Sequence, residues 1–208
     1  MARFIFIILA VCTKIARTVR LRYYQFYNLQ YLRWKAANVK VGKHCRMEGK
    51  MHFSLSAQAR LEIGDDFICR SGFGAHILGQ ETSSIHVFSG GVIIGNHTGM
   101  SATNINCVES VRIGSHVLLG AGCLITDSNH HSLDWRTRCL EGDTDKKSAP
   151  VVIEDYVFVG AKSIILKGVT IGEKSIIQAG SVVVHDIPAH CIAGGNPCKV
   201  IKYLKQAL

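Results

Sequence analysis

The feature that most constrains this chain is a six-residue period of aliphatic, β-branched residues running through Ile153, Val159, Ile165, Ile171, Ile177 and Val183. Four positions after each comes a second set, Val157, Ser163, Val169, Ser175, Ser181 and Ile187, so every unit offers one large and usually one small inward group. A helix would need apolar residues at three- and four-residue spacings, which this stretch does not sustain. The period returns upstream as Ile113, Leu119 and Ile125, with Val111, Val117 and Cys123 as partners, and more loosely around Ile63, Cys69, Ile94 and Met100. Gly64, Gly95, Gly114, Gly120, Gly160 and Gly172 each follow an inward residue, where a small group lets the chain turn a corner. The pattern predicts a mainly β solenoid whose coils share one core and whose ends need covering. An N-terminal helix over residues 4–35 and a short C-terminal helix beyond the Gly194-Gly195-Asn196-Pro197 turn are the expected covers.

The period breaks between Ile125 and Ile153, and the inserted loop 126–150 is polar and charged. An excursion from a regular solenoid is where function tends to sit. It holds Asp127-Ser128-Asn129-His130-His131-Ser132-Leu133-Asp134-Trp135. Neutral histidine is the side chain best tuned to take a proton from a hydroxyl near pH 7.

The hexads, this loop and the closing Ile192-Ala193-Gly194-Gly195-Asn196-Pro197-Cys198-Lys199-Val200-Ile201 resemble the hexapeptide-repeat acyltransferases over roughly residues 39–202. Within that superfamily the chain is most similar to the galactoside, maltose and streptogramin O-acetyltransferases and to polysaccharide-modifying O-acetyltransferases. The resemblance, and not the spacing, implies a left-handed parallel β-helix, a homotrimer with active sites between subunits, and acetyl-CoA as co-substrate with no metal. It implies His131 as catalytic base, because the family's histidine stands three residues before an acidic or similar polar residue, here Asp134. Asp134 then orients the histidine or binds substrate, Trp135 lines the acceptor pocket or anchors the loop, and Asn104 orients the acceptor hydroxyl. On the donor side it implies backbone approach to pantetheine at Gly160, Ala161, Ala179 and Gly180, and stacking by Phe158. His185, Lys199 and Lys202 fall where the family places basic residues near the nucleotide phosphates. A sugar hydroxyl, on a surface-polysaccharide precursor, is the expected acceptor; a soluble oligosaccharide, an amino sugar or an antibiotic is the alternative. A zinc enzyme resembling the γ-class carbonic anhydrases is the reading outside the transferases, kept open by His76, His97 and His116 near coil spacing.

Charge adds an anionic partner. The net charge is +9, much of it in residues 14–50 and in the last ten residues. Cofactor phosphate or acidic lipid fits better than nucleic acid, because no repeated set of stacking aromatics interleaves the basic residues. The eight scattered cysteines contain no C-x-x-C pair and read as small core residues in a reducing compartment. The apolar run from Phe4 to Cys12 is too short to span a bilayer, and Val11 is bulky where a lipoprotein processing site wants a small residue. Arginines beside Tyr23, Tyr24, Phe26, Tyr27, Tyr31 and Trp34 suit residues 1–35 to peripheral membrane contact, or else to packing on the protein body. The expected organisation is a basic, aromatic helical segment (1–38), the β-helix domain (39–202) and a tail (203–208), in a cytoplasmic protein placed beside the inner membrane face.

Overall fold

A computed structural model describes residues 2–34, 38–72 and 81–205, with the backbone alone for residues 2–10. After helix α1 (Ala2–Trp34), short strands succeed one another in a repeating order of three, building a prism with three parallel faces. The first face runs from Val39–Val41 to Thr170–Ile171, the second from Arg46–Glu48 to Cys191–Gly194, and the third from Met51–Leu55 to Val182–Val183. Each coil sits on the next in exact register: Ile105 pairs with Ile125, Ile125 with Ile165, and Ile165 with Val183. A six-residue repeat thus places equivalent residues on successive faces, and eighteen residues return the chain to the same face one coil on.

The inward residues are those of the hexad pattern. Ile153, Val159, Ile165, Ile171, Ile177 and Val183 are buried, as are their partners Val157, Ser163, Val169, Ser175, Ser181 and Ile187. Burying each such aliphatic side chain contributes about 1.5–3 kcal/mol, and β-branched residues suit the pleated wall. The small partners carry their own hydrogen bonds: the Ser163 hydroxyl donates to the Gly160 carbonyl at 2.8 Å and the Ser181 hydroxyl to Gln178 at 2.6 Å.

The edge strands at the N-terminal end would leave backbone groups open. The second half of α1 closes them with side-chain amides. Gln25 donates to the Cys45 carbonyl at 2.7 Å and accepts from the Met47 N–H, and Asn28, fully buried, donates to the Gly49 carbonyl at 2.9 Å. Leu32 is buried beneath the helix and the Tyr31 hydroxyl donates to Phe53 O. The opposite side of α1 stays outside, with Val11, Ile15, Val19, Tyr23, Phe26 and Trp34 exposed. The expected packing on the protein body is thus realised along one side of the helix. Among the described residues no helix is long and apolar enough to cross a membrane.

The other end departs from expectation. In place of a short C-terminal helix, Lys199–Tyr203 is a strand, folded back antiparallel on Cys191–Gly194. The open edge of the last coil takes a partner strand, and Val200, Ile201 and Tyr203 favour an extended backbone. The cysteine reading also needs correction: Cys12 and Cys139 are exposed, and the other six are buried.

Candidate active site

The insert leaves the third face after the strand Leu124–Thr126 and rejoins the first face at Val151, so it occupies the corner between them. Its base is pinned by polar contacts. Asp127, fully buried, accepts from three backbone N–H groups: Val108 at 2.8 Å on one oxygen, Glu109 at 2.8 Å and Ser110 at 2.7 Å on the other. An antiparallel bridge between Ser128 and Ser148 closes the neck. Beyond it lies a six-residue helix, α2 (Trp135–Leu140), with no buried residue.

His131 sits between neck and helix, its side chain 70 % exposed. Its Nδ1 lies 2.6 Å from Asp143 Oδ2, while Asp143 Oδ1 accepts the Ser132 N–H at 2.7 Å. The Ser132 N–H first, and then the His131 imidazole, hold the Asp143 carboxyl below the usual carboxylate range. A carboxylate can only accept, so Nδ1 carries the proton, and in the neutral ring Nε2 then keeps its lone pair for a substrate proton. This is the arrangement a general base needs, with the third group orienting the ring.

Asp134 does not provide that group. Its carboxylate caps α2 by accepting from the Arg136 N–H at 2.8 Å, the ordinary work of an aspartate before a helix. Trp135 opens the helix, half exposed, with the Arg136 guanidinium 4.8 Å from its ring centroid. His130 turns away: its Nε2 meets the Thr126 hydroxyl at 2.9 Å and its ring packs edge-on against Phe88. Asn104 lies on the outward side of the third face, accepting from the Ser84 hydroxyl at 2.7 Å, two residues along from Asn106, which pairs with Thr126.

Most donor-side residues fall on a different edge. Phe158 stands exposed on the second face, between Leu118 and Ile176. Gly160 and Ala161 turn the corner to the third face, with Ala179 and Gly180 one coil on, and the Gly180 N–H donates to the Ala161 carbonyl. Gly160 is buried, and any Cβ there would stand 2.4 Å from the Ala179 nitrogen, so coil-to-coil contact explains the glycine without a ligand. Gly180, at φ +73°, faces open space. Lys199 and Lys202 lie exposed on the final strand, Lys202 beside Ile192 in the Phe158 row. His185 is apart, exposed on the insert's own corner near Asp186, whose carboxylate accepts from the Thr170 N–H. Within one chain, the prism thus separates His131 from the Phe158 to Gly180 edge.

His97 and His116 occupy equivalent corner positions, each at φ near +55°, in a column that also includes His44, Asp66, Tyr156, Lys174 and His190. Their rings stack at 4.8 Å and stack on toward Tyr156, and among the described residues of one chain no group of three metal-ligating side chains comes together. His76 lies outside the described residues. A groove of about 520 Å³ on the first face, beside Arg112, Glu154 and Asp155, holds none of these side chains. The buried thiols of Cys69 and Cys107 are pushed up to about 12, and that of Cys123 to about 11, by burial, so none is a ready nucleophile.

A family model described as the hexapeptide repeat of succinyl-transferase matches residues 150–184. The 2,3,4,5-tetrahydropyridine-2,6-dicarboxylate N-acetyltransferase of Staphylococcus aureus is 48% identical over 64 residues, which is 30% of this chain and 27% of that protein. The chain spans about half the length, or less, of such curated relatives. Among solved structures, a hexapeptide-repeat acetyltransferase of Vibrio cholerae complexed with acetyl coenzyme A matches at a TM-score of 0.56 and 26% identity, covering 80% of this chain and 72% of that one. A polysialic acid O-acetyltransferase shares the fold, at a TM-score of 0.63 and 22% identity over 82% of this chain and 77% of its own.

Proposed function

We propose that this chain, whose relatives in sequence and fold are acetyltransferases, moves an acetyl group from acetyl-CoA to a sugar hydroxyl with His131 as general base. The observation that carries this is the His131–Asp143 pair, held at 2.6 Å on a buried polar anchor where the repeat is interrupted. His131 Nε2 takes the hydroxyl proton, the oxygen attacks the thioester carbonyl, and the C–S bond breaks as coenzyme A leaves and receives that proton back. Transfer is direct, from thioester to hydroxyl, with no acyl-enzyme required.

Phe158, Ala161, Ala179 and Gly180 form the pantetheine edge, with Lys199 and Lys202 for the phosphates, and Asn104 and Trp135 belong to the acceptor side. Because one chain keeps the donor edge and His131 on different corners, the site is completed between subunits of a homotrimer of left-handed coils. The exposed apolar side of α1, whose helix carries no acidic residue, supports work beside lipid-linked sugars at the cytoplasmic membrane face.

The test is acetyl-CoA binding by calorimetry and free-thiol release on a mixed sugar panel, for the native chain and His131→Ala. Retained binding with turnover lowered about 10²–10⁴-fold is expected. Equal turnover in both proteins removes His131 from the mechanism, and absence of acetyl-CoA binding removes the transferase reading.

A further inference from the structure

The third face changes character one coil before the insert. From Leu124 onward its outward row is apolar, through Ile164 and Val182. Toward the N-terminus the same row continues as Asn104, Ser84 and His52, and beside it run Asn106, His86 and Ser54. Burial alternates along these strands, with Ile85 and Ile105 fully inward and Ser84, His86, Asn104 and Asn106 partly exposed. The strands Met51–Leu55, Ser83–Val87 and Asn104–Cys107 contain no carboxylate. The strip begins at Asn104 and Asn106, next to the buried Thr126 whose hydroxyl meets His130 at 2.9 Å at the base of the insert. It ends at α1, in a hollow of about 200 Å³ lined by Tyr27, Tyr31, Lys50 and His52. There the rings of Tyr27, Tyr31 and Phe53 stack at 6.5 and 5.9 Å.

Hydroxyl, amide and imidazole groups in rows both donate and accept, as a polyol requires. Aromatic faces take the apolar faces of sugar rings. Neighbouring strands lie about 4.8 Å apart, a repeat close to the advance of one hexose unit along an extended glycan. A subunit contact would draw on an apolar core, which the other half of this face supplies and this half lacks.

We infer that the strip is an extended acceptor subsite. It holds an oligosaccharide of about four units, the reacting unit at His131 and one for each strand from Asn104–Cys107 to Met51–Leu55, laid toward the tyrosines of α1. This rests on the sugar-acceptor reading above and adds the chain length and direction of the acceptor.

Two series, malto-oligosaccharides and oligosialic acids from single units to hexamers, are titrated by calorimetry against the native chain, Ser84→Trp, which obstructs the middle of the strip, and the milder His86→Ala. The expected result is affinity in one series rising about tenfold from one unit to four and then levelling, with the rise lost in Ser84→Trp and reduced in His86→Ala at unchanged melting temperature. If Ser84→Trp melts early, His86→Ala alone decides. Binding that ignores length, binding by neither series, or a length profile untouched in the folded variants overturns the subsite. Thiol release is read separately. Acetyl transfer to single sugars with no gain from length sinks the subsite and keeps the transferase, whereas length-dependent binding without acetyl transfer to any sugar does the reverse.

Discussion

The coils after the insert and the insert itself are held by opposite means. From Val151 to Ile187 every coil repeats the same inward aliphatic groups and the same backbone ladder, so the geometry is determined many times over. Residues 127–150 have one short helix, no buried residue within it, and an ordered shape that depends on a few polar anchors at Asp127, Ser128 and Asp143. Redundancy suits a scaffold and dispersed polar anchors suit a site, because a loop outside the stack can present an ionisable side chain to solvent and substrate without breaking the core. Damage should therefore separate: stability is lost from the coils, and turnover from the insert.

The largest expected effect lies on the scaffold side. Ile165 is fully buried between Ile125 and Val183, so Ile165→Ala should cost about 2–5 kcal/mol of stability. Denaturant unfolding measures it. Turnover per folded molecule should stay near native, and a specific loss of turnover well below the transition would erase the division between scaffold and site.

Asp127→Ala tests the hinge between the two regions. It strands the N–H groups of Val108, Glu109 and Ser110 beneath the neck, a penalty of about 1–3 kcal/mol. Thiol release should fall more than global stability does, because the insert loses its register before the coils do. Hydrogen exchange should show the change at Ser128–Ser148 and not at Ile164–Ile165; uniform loosening of both would mean that the neck is simply another coil.

The same division governs how much could be read from the sequence. The hexads expose the inward residues directly, since three faces per coil turn spatial equivalence into a fixed spacing. The insert was visible as a break in that spacing, whereas His131 was singled out from His130 only through the family resemblance. Asp143 was not, because it meets His131 by closing a twelve-residue loop, which leaves no periodic trace. Asp134, which the resemblance offered as orienting the histidine or binding substrate, caps α2 and does not meet the ring, because a carboxylate just ahead of a helix accepts from its first free N–H groups. At the C-terminus the Gly-Gly-Asn-Pro turn suggested a helix start, but an unpaired edge recruits whatever β-favouring segment can fold back on it, here Lys199–Tyr203.

The smallest effect, and the finest test of the insert, belongs to Asp143→Asn. Exposed charged pairs are individually weak, and His131 is mostly exposed, so turnover should fall only about fivefold, well short of the loss in His131→Ala. The acid response carries more information. Asp143 is held below the ordinary carboxylate range by the Ser132 N–H and then by His131. A group with a depressed folded pKa stabilises above its unfolded value, near 3.9, and that stabilisation disappears as pH falls through the lower folded value. The native insert should thus stay ordered through mildly acidic conditions and loosen only below about pH 4. Proteolysis at Arg136 and Arg138 by an acid-tolerant protease, or exchange at the Ser132 amide, would report that step. Asp143→Asn, with no carboxylate to protonate, should lack it; an identical acid step in the variant would assign the loosening to another carboxylate and leave Asp143 as a neutral spacer.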